Sequence, residues 1–250
     1  MSIETFRREQ VIELNVDQLA RLRRIWTSDS CPRRQYHRII GEIPELPAHY
    51  LSFKGSAVHR IIETQLSGED AHIDWDEFPD HEKDIRAEAE SHMTKFNRWM
   101  ESTDIDLSEA EMEVKYEIDL PLGYVKVRKI DVITPTHQID WKTGIKRNTM
   151  DYRKDLAAGH EAVKQSGEGS YPHENLILVF TSGPEAEELA PFAPDKKGKA
   201  TPFEEAWDEM KREEEANIFH REQIKAGEVP PCKVEFTCVF CGHRHICRGV

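Results

Sequence analysis

The sequence predicts a mixed α/β fold, and three observations carry that expectation. Residues 111–120, 124–133 and 137–142 read as β-forming stretches separated by the turns Pro121-Leu122-Gly123 and Thr134-Pro135-Thr136, and so as an antiparallel meander. Residues 174–181 form a near-continuous apolar run, the pattern of a central strand buried on both faces. Residues 80–100, 151–165 and 203–226 repeat apolar side chains at helical spacing. The expected architecture is a sheet flanked by helices.

Composition sets bounds. The 250 residues suffice for one large domain or a domain with an appendage, and 38% hydrophobic with 32% charged residues suits a globular chain. No apolar run approaches a membrane span and residues 1–6 lack the apolar core of a signal peptide, so a cytoplasmic location without membrane contact is expected. The net charge of −13 argues mildly against a nucleic-acid partner, but its distribution outweighs the total. Arg21, Arg23, Arg24, Arg33, Arg34 and Arg38 face one acid, Asp29, within their stretch, a candidate phosphate-contacting face. Residues 66–119 hold 18 acids against five Lys and Arg and read as a solvated back face.

Along the chain, Asn15 starts a helix with Gln18 as capping-box partner, and Val16, Leu19, Leu22 and Trp26 carry its spacing as far as Ser28-Asp29-Ser30. Cys31 opens the next helix; alone, such a cysteine is most often a small buried apolar residue. A helix beginning at Gly55 puts His59 and Glu63 on one face. Ile85, Ala89, Met93, Phe96 and Met100 form the stripe of the 80–100 helix. Met112, Val114, Tyr116 and Ile118 alternate with acids on residues 111–120. Tyr152, Leu156, Gly159 and Val163 share one side of the 151–165 helix. Residues 182–202, rich in Pro, Gly and charge, read as a surface excursion before the helix carrying Phe203, Trp207, Met210 and Ile218.

Asp131 and Asp140 interrupt the apolar pattern of successive strands, and Lys142 follows two residues later. Charges in a half-buried strand are costly unless paired. Two carboxylates and one ammonium at a sheet end suit a shared divalent cation and a phosphate; the plain alternative is a surface hairpin with scattered charges. An acid followed on the next strand by Asp140-Trp141-Lys142-Thr143-Gly144 resembles the PD-(D/E)XK nuclease superfamily, in particular its RecB-like branch. Gly55-Ser56-Ala57-Val58-His59, with Glu63 beyond, resembles that branch's G-x-x-x-H-x-x-x-E segment. The resemblance implies a restriction-endonuclease-like core with a central mixed sheet. It implies that His59, Asp131, Asp140 and the backbone carbonyl of Trp141 hold magnesium or manganese, with Glu63 in support and Glu113 or Glu117 approaching the metal. Lys142 then orients the attacking water and stabilises the phosphate, and Arg33, Arg34, Lys146 and Arg147 contact DNA. Two departures stand out. Asp155 and Gly159 occupy the positions of the branch's Gln-x-x-x-Tyr motif, and Arg128-Lys129 stands where a glycine is usual before the first aspartate.

The tail carries Cys238-x2-Cys241-x5-Cys247, a compact set of the kind that binds metal. Cys31 is the natural distant fourth thiol and Cys232 the spare, though Cys232 could replace one of the others. One N-terminal cysteine with this tail resembles the RecB-like nucleases stapled by an iron–sulfur cluster, the CRISPR-associated Cas-four type among them, and implies a [4Fe-4S] cluster on Cys31, Cys238, Cys241 and Cys247. Zinc is the alternative, since His243 and His245 lie within the loop. The expected organisation is a helical region, 1–54, forming one unit with the cysteine segment, 227–250, around a nuclease core, 55–226. The expected function is a DNA exonuclease on single strands or ends. Its alternatives are a catalytically silent DNA-binding partner and a partner-dependent end-trimming endonuclease in recombination or CRISPR adaptation.

Overall fold

The computed structural model describes residues 14–26, 31–41, 43, 50–66, 73, 75–76, 78–146, 148–167, 172–194, 197–198, 202–231 and 243. Its helices are α1 (Val16–Arg23), α2 (Pro32–Ile39), α3 (Tyr50–Leu66), α4 (Glu82–Ser102), α5 (Met150–Ser166) and α6 (Phe203–Lys225). Its strands are β1 (Arg24–Trp26), β2 (Glu111–Leu120), β3 (Tyr124–Ile133), β4 (Gln138–Lys142), β5 (Leu176–Phe180) and β6 (Glu187–Leu189). The chain divides into two compact units. One comprises Met1–Ala48, Asp119–Lys126 and Lys211–Val250; the other comprises His49–Ile118 and Val127–Met210.

Local chemistry fixes most element ends. The Asn15 side chain accepts from the Gln18 amide at 2.9 Å while the Gln18 side chain accepts from the Asn15 amide at 3.1 Å, a complete capping box. That helix stops at Arg23, short of the spacing that reached Trp26. Residues 24–26 form a strand bordering β3, with Ile25 buried between the exposed Arg24 and Trp26; sheet pairing outweighs the helical repeat here. Helix α3 begins at Tyr50 rather than Gly55. Tyr50 and Phe53 pack on Phe78 at 5.5 and 4.8 Å between ring centroids, and that packing offsets the poor helix propensity of Gly55. The excursion after β5 contains β6, paired antiparallel to β5.

The strand order is β1-β3-β4-β5-β6, with β2 also paired to β3. The β3–β4 pair is antiparallel and the β4–β5 pair parallel, so the sheet is mixed. In the second unit the sheet is covered on both faces. Ile139 and Trp141 of β4 and Ile177 and Val179 of β5 pack with α3 and α4 residues such as Ile62, Ile85 and Phe96. Leu176, Leu178 and Phe180 point the other way, onto Leu156 and Ala157 of α5 and Phe203 of α6. All five residues of β5 are buried, as its continuous apolar run requires.

The first unit has its own small core of Leu22, Ile39 and Ile224. Arg221 donates to the Leu22 carbonyl at 2.6 Å, satisfying a free carbonyl at the end of α1. The Arg33 guanidinium donates to the Pro230 carbonyl at 2.6 Å, and His243 Nε2 donates to the Ile43 carbonyl at 2.9 Å. Segments from both ends of the sequence thus touch within this unit.

Candidate active site

The register that sets Val132 opposite Ile139 puts Asp131 opposite Asp140 one residue further along. Cross-strand neighbours of like charge repel at this spacing, so both demand partners. Asp131 Oδ2 accepts the Trp141 amide at 2.9 Å. Asp140 is held on both oxygens: Lys142 Nζ lies 2.5 Å from Oδ2, and the Arg128 guanidinium lies 3.3 Å from Oδ1. Arg128 also donates to the Asp155 carbonyl of α5 at 3.3 Å. Glu113 joins the pair from β2 and is ion-paired with Lys129. Its φ of +59° is a left-handed conformation costing a non-glycine residue ~1–3 kcal/mol, of the kind that collects at functional sites.

These groups divide into unlike protonation states. Burial raises the Glu113 carboxyl, and the charges of Asp131 and Asp140 push it further, to about 8. Burial and then the Asp140 charge likewise raise Asp131. Asp140 is equally buried, but the Lys142 and Arg128 charges outweigh that burial and hold it below the usual carboxylate range. Burial opposes the Lys142 ammonium, and Asp140 and Asp131 more than restore it. Burial, then the Lys142 charge, lowers His59, leaving a neutral imidazole near pH 7.

A cavity of about 350 Å³ borders this cluster at Trp141 and Lys142 and is lined further by Gly55, Ser56, His59, Thr143, Gly144 and Tyr152. The His59 ring lies 4.8 Å from that of Trp141, and Lys142 Nζ lies 5.1 Å from the Tyr152 ring centroid. Both oxygens of Glu113 and Oδ2 of Asp140 are buried and accept no hydrogen bond of normal geometry. Buried carboxylate oxygens of this kind, with a neutral imidazole beside them, suit a magnesium- or manganese-like cation. Among the described residues, no three His, Cys, Asp or Glu side chains are yet gathered into a metal shell. Asp140 is turned to its two cations and Asp131 to the Trp141 amide.

The structure therefore brings together His59, Glu113, Asp131, Asp140, Trp141 and Lys142. Glu117 is exposed on β2, so of the two glutamates raised from sequence only Glu113 joins the cluster. Lys146 is exposed and pairs with Glu187 at 3.1 Å, and the Arg33 guanidinium is engaged by Pro230. Arg34 lies half-buried on α2, and Cys31 is half-buried at the N-cap of that helix. The Glu63 side chain, Arg147, Cys232, Cys238, Cys241, Cys247 and His245 lie outside the described residues. Sequence reasoning noticed Arg128 only as a departure and Tyr152 only as part of an apolar face. An arginine within a strand whose neighbours are mostly apolar was the available signal, since a buried guanidinium needs an acidic partner.

The departure at Gly159 on α5 has a local explanation. A Cβ at Gly159 would lie 2.4 Å from Nε2 of the fully buried Gln138, so β4 fills the space where a larger residue would project. Gly159→Tyr is accordingly expected to destabilise the protein by about 1–3 kcal/mol through overpacking, with no gain in DNA affinity. Thermal unfolding and oligonucleotide binding of the variant would show it; tighter binding at unchanged stability would contradict it.

The model of the PD-(D/E)XK nuclease superfamily matches residues 23–248. No curated protein matches the chain. Among solved structures, a protein from Eubacterium rectale carrying a provisional exonuclease name superposes with a TM-score of 0.58 at 15% identity, over 95% of this chain and 93% of that one. The protein SSO0001 gives a TM-score of 0.42 at 15% identity, over 92% of this chain and 93% of that one.

Proposed function

Because the chain belongs to the PD-(D/E)XK nuclease superfamily, we propose that it is a magnesium- or manganese-dependent DNA exonuclease of the RecB-like, Cas-four type, acting on single strands or free ends. The observation that carries this reading is the convergence of Glu113, Asp131, Asp140 and Lys142 on one cluster, under a cavity walled by the neutral His59. His59, Asp131, Asp140 and the Trp141 carbonyl, with Glu113 alongside, are the residues that hold the cation. A bound cation supplies an acidified water and neutralises charge on the scissile phosphate. Lys142 keeps its ammonium in the cavity wall, where it offers hydrogen bonds to the phosphate oxygens as charge builds on them. Arg128 keeps Asp140 ionised and oriented, and Gly55, Ser56 and Gly144 leave room for a nucleotide. Arg33, Arg34, Lys146 and Arg147 are assigned to the DNA backbone.

Protonation gives a test. Glu113 titrates at about 8, so at pH 7 it carries a proton that a metal must displace. Manganese affinity is expected to rise about tenfold per pH unit, per proton displaced, up to pH 8 and then to level off. Calorimetry in buffers of different ionisation enthalpy should show proton release at pH 7. Affinity that stays flat between pH 6 and 8 would remove Glu113 from the site.

We assign Cys31, Cys238, Cys241 and Cys247 to a structural [4Fe-4S] cluster joining the two ends of the chain. The Arg33–Pro230 and His243–Ile43 contacts support this, since they bring residues near Cys31 and within the cysteine tail into one unit. Brown protein with about four irons per chain, lost in Cys31→Ala, would bear out the cluster; colourless protein with one zinc would replace it. A second reading, a DNA-binding partner that cuts nothing, draws on the loss of the Gln-x-x-x-Tyr pair at Asp155 and Gly159. Cleavage of single-stranded DNA with manganese separates the two readings, and cleavage only with a recombination or CRISPR adaptation partner would point to an end-trimming endonuclease.

A further inference from the structure

Lys142 has two neighbours that bind cations. Its Nζ lies 2.5 Å from Asp140 Oδ2 and 5.1 Å from the centroid of the Tyr152 ring, inside the range of a cation–π contact. The ring is placed by the start of α5, where the Thr149 side chain accepts from the Tyr152 amide at 3.3 Å, and it is backed by Phe180 at 6.0 Å. Tyr152 and Lys142 both line the cavity.

We infer that Tyr152 is a positioning residue for Lys142, its aromatic face giving the ammonium a second seat at the cavity when Asp140 turns to another cation. The inference rests on the nuclease reading. A divalent cation on Asp140 Oδ2 repels the ammonium that lies 2.5 Å from that oxygen, and Oδ1 is already taken by Arg128. A lysine with no other seat would then sample many rotamers of its four-carbon stem. The Tyr152 face confines it beside the cavity, where a phosphate must lie to be cut. The ring, not the hydroxyl, does this, so phenylalanine should replace tyrosine.

Two readouts test it on the full chain. The first is the rate at which acetic anhydride modifies Lys142 with manganese present, so that Asp140 is engaged, followed by mass spectrometry; only neutral amine reacts, and the ring favours the ammonium. The second is cleavage of single-stranded DNA with manganese. Tyr152→Leu is expected to speed acetylation of Lys142 several-fold and to lower kcat about tenfold, with KM for DNA and manganese affinity unchanged. Tyr152→Phe is expected to match the wild type in both. Tyr152→Met serves if the leucine variant does not fold. A leucine or methionine variant unchanged in either readout, or a phenylalanine variant as impaired as leucine, overturns the inference. If the wild type cuts no DNA, the nuclease reading fails, and the acetylation rates alone decide whether Tyr152 seats Lys142.

Discussion

Lys142→Ala is expected to lower DNA cleavage about a hundred- to a thousandfold, the usual loss when one donor to a charged transition state is removed. Its ammonium stays protonated because Asp140 and Asp131 outweigh the burial that opposes it. It lines the cavity, whereas the other cation on Asp140, Arg128, is committed to Oδ1 and to the Asp155 carbonyl. Truncation therefore takes away positive charge at the phosphate without removing a metal ligand. It also removes a competitor for Asp140 Oδ2, so manganese should bind at least as tightly as to the wild type. Single-turnover cleavage and manganese calorimetry on the same variant check both halves. Full cleavage activity would end the assignment of Lys142, and lost manganese binding would show that the lysine supports the site rather than the phosphate.

Much of this site was legible because strand alternation and motif spacing are local. Asp131 and Asp140 break two apolar runs joined by a short turn, and a short turn fixes the register that makes them neighbours. His59 lies on an element predicted from sequence, although packing by Tyr50 and Phe53 starts its helix earlier than the glycine suggested. What stayed hidden was non-local. Alternation along β2 gives Glu113 and Glu117 the same standing, and only the left-handed backbone at Glu113 and the burial of its carboxylate separate them. Trp26 read as a helix-face residue, yet it is exposed, because Arg24–Trp26 pairs as a strand. Gly159 read as a lost DNA contact, whereas its partner, Gln138, comes from a strand 21 residues earlier. A sequence pattern shows which side of its own element a residue occupies; it does not show which residue of another element waits there.

Arg128 is the sharpest case of that limit, and its removal should carry the largest effect on stability. Arg128→Met is expected to destabilise the protein by about 3–5 kcal/mol without metal, because it takes one of two cations from a buried carboxylate. Asp140 is only 2% exposed, and its ionisation depends on Lys142 and Arg128 together. With Arg128 gone, Asp140 Oδ1 loses its partner and Lys142 is left to hold the carboxylate from Oδ2. Two comparisons distinguish this from a simple packing defect. Saturating manganese should recover part of the loss, since a cation binding the folded site replaces the missing charge. Arg128→Met combined with Asp140→Asn should cost less than the sum of the single variants, because each single variant already breaks the same Arg128–Asp140 pair. Urea unfolding of the four proteins, with and without manganese, measures both. Additive losses that manganese leaves unchanged would make Arg128 a packing residue, and Asp140 would then owe its ionisation to Lys142.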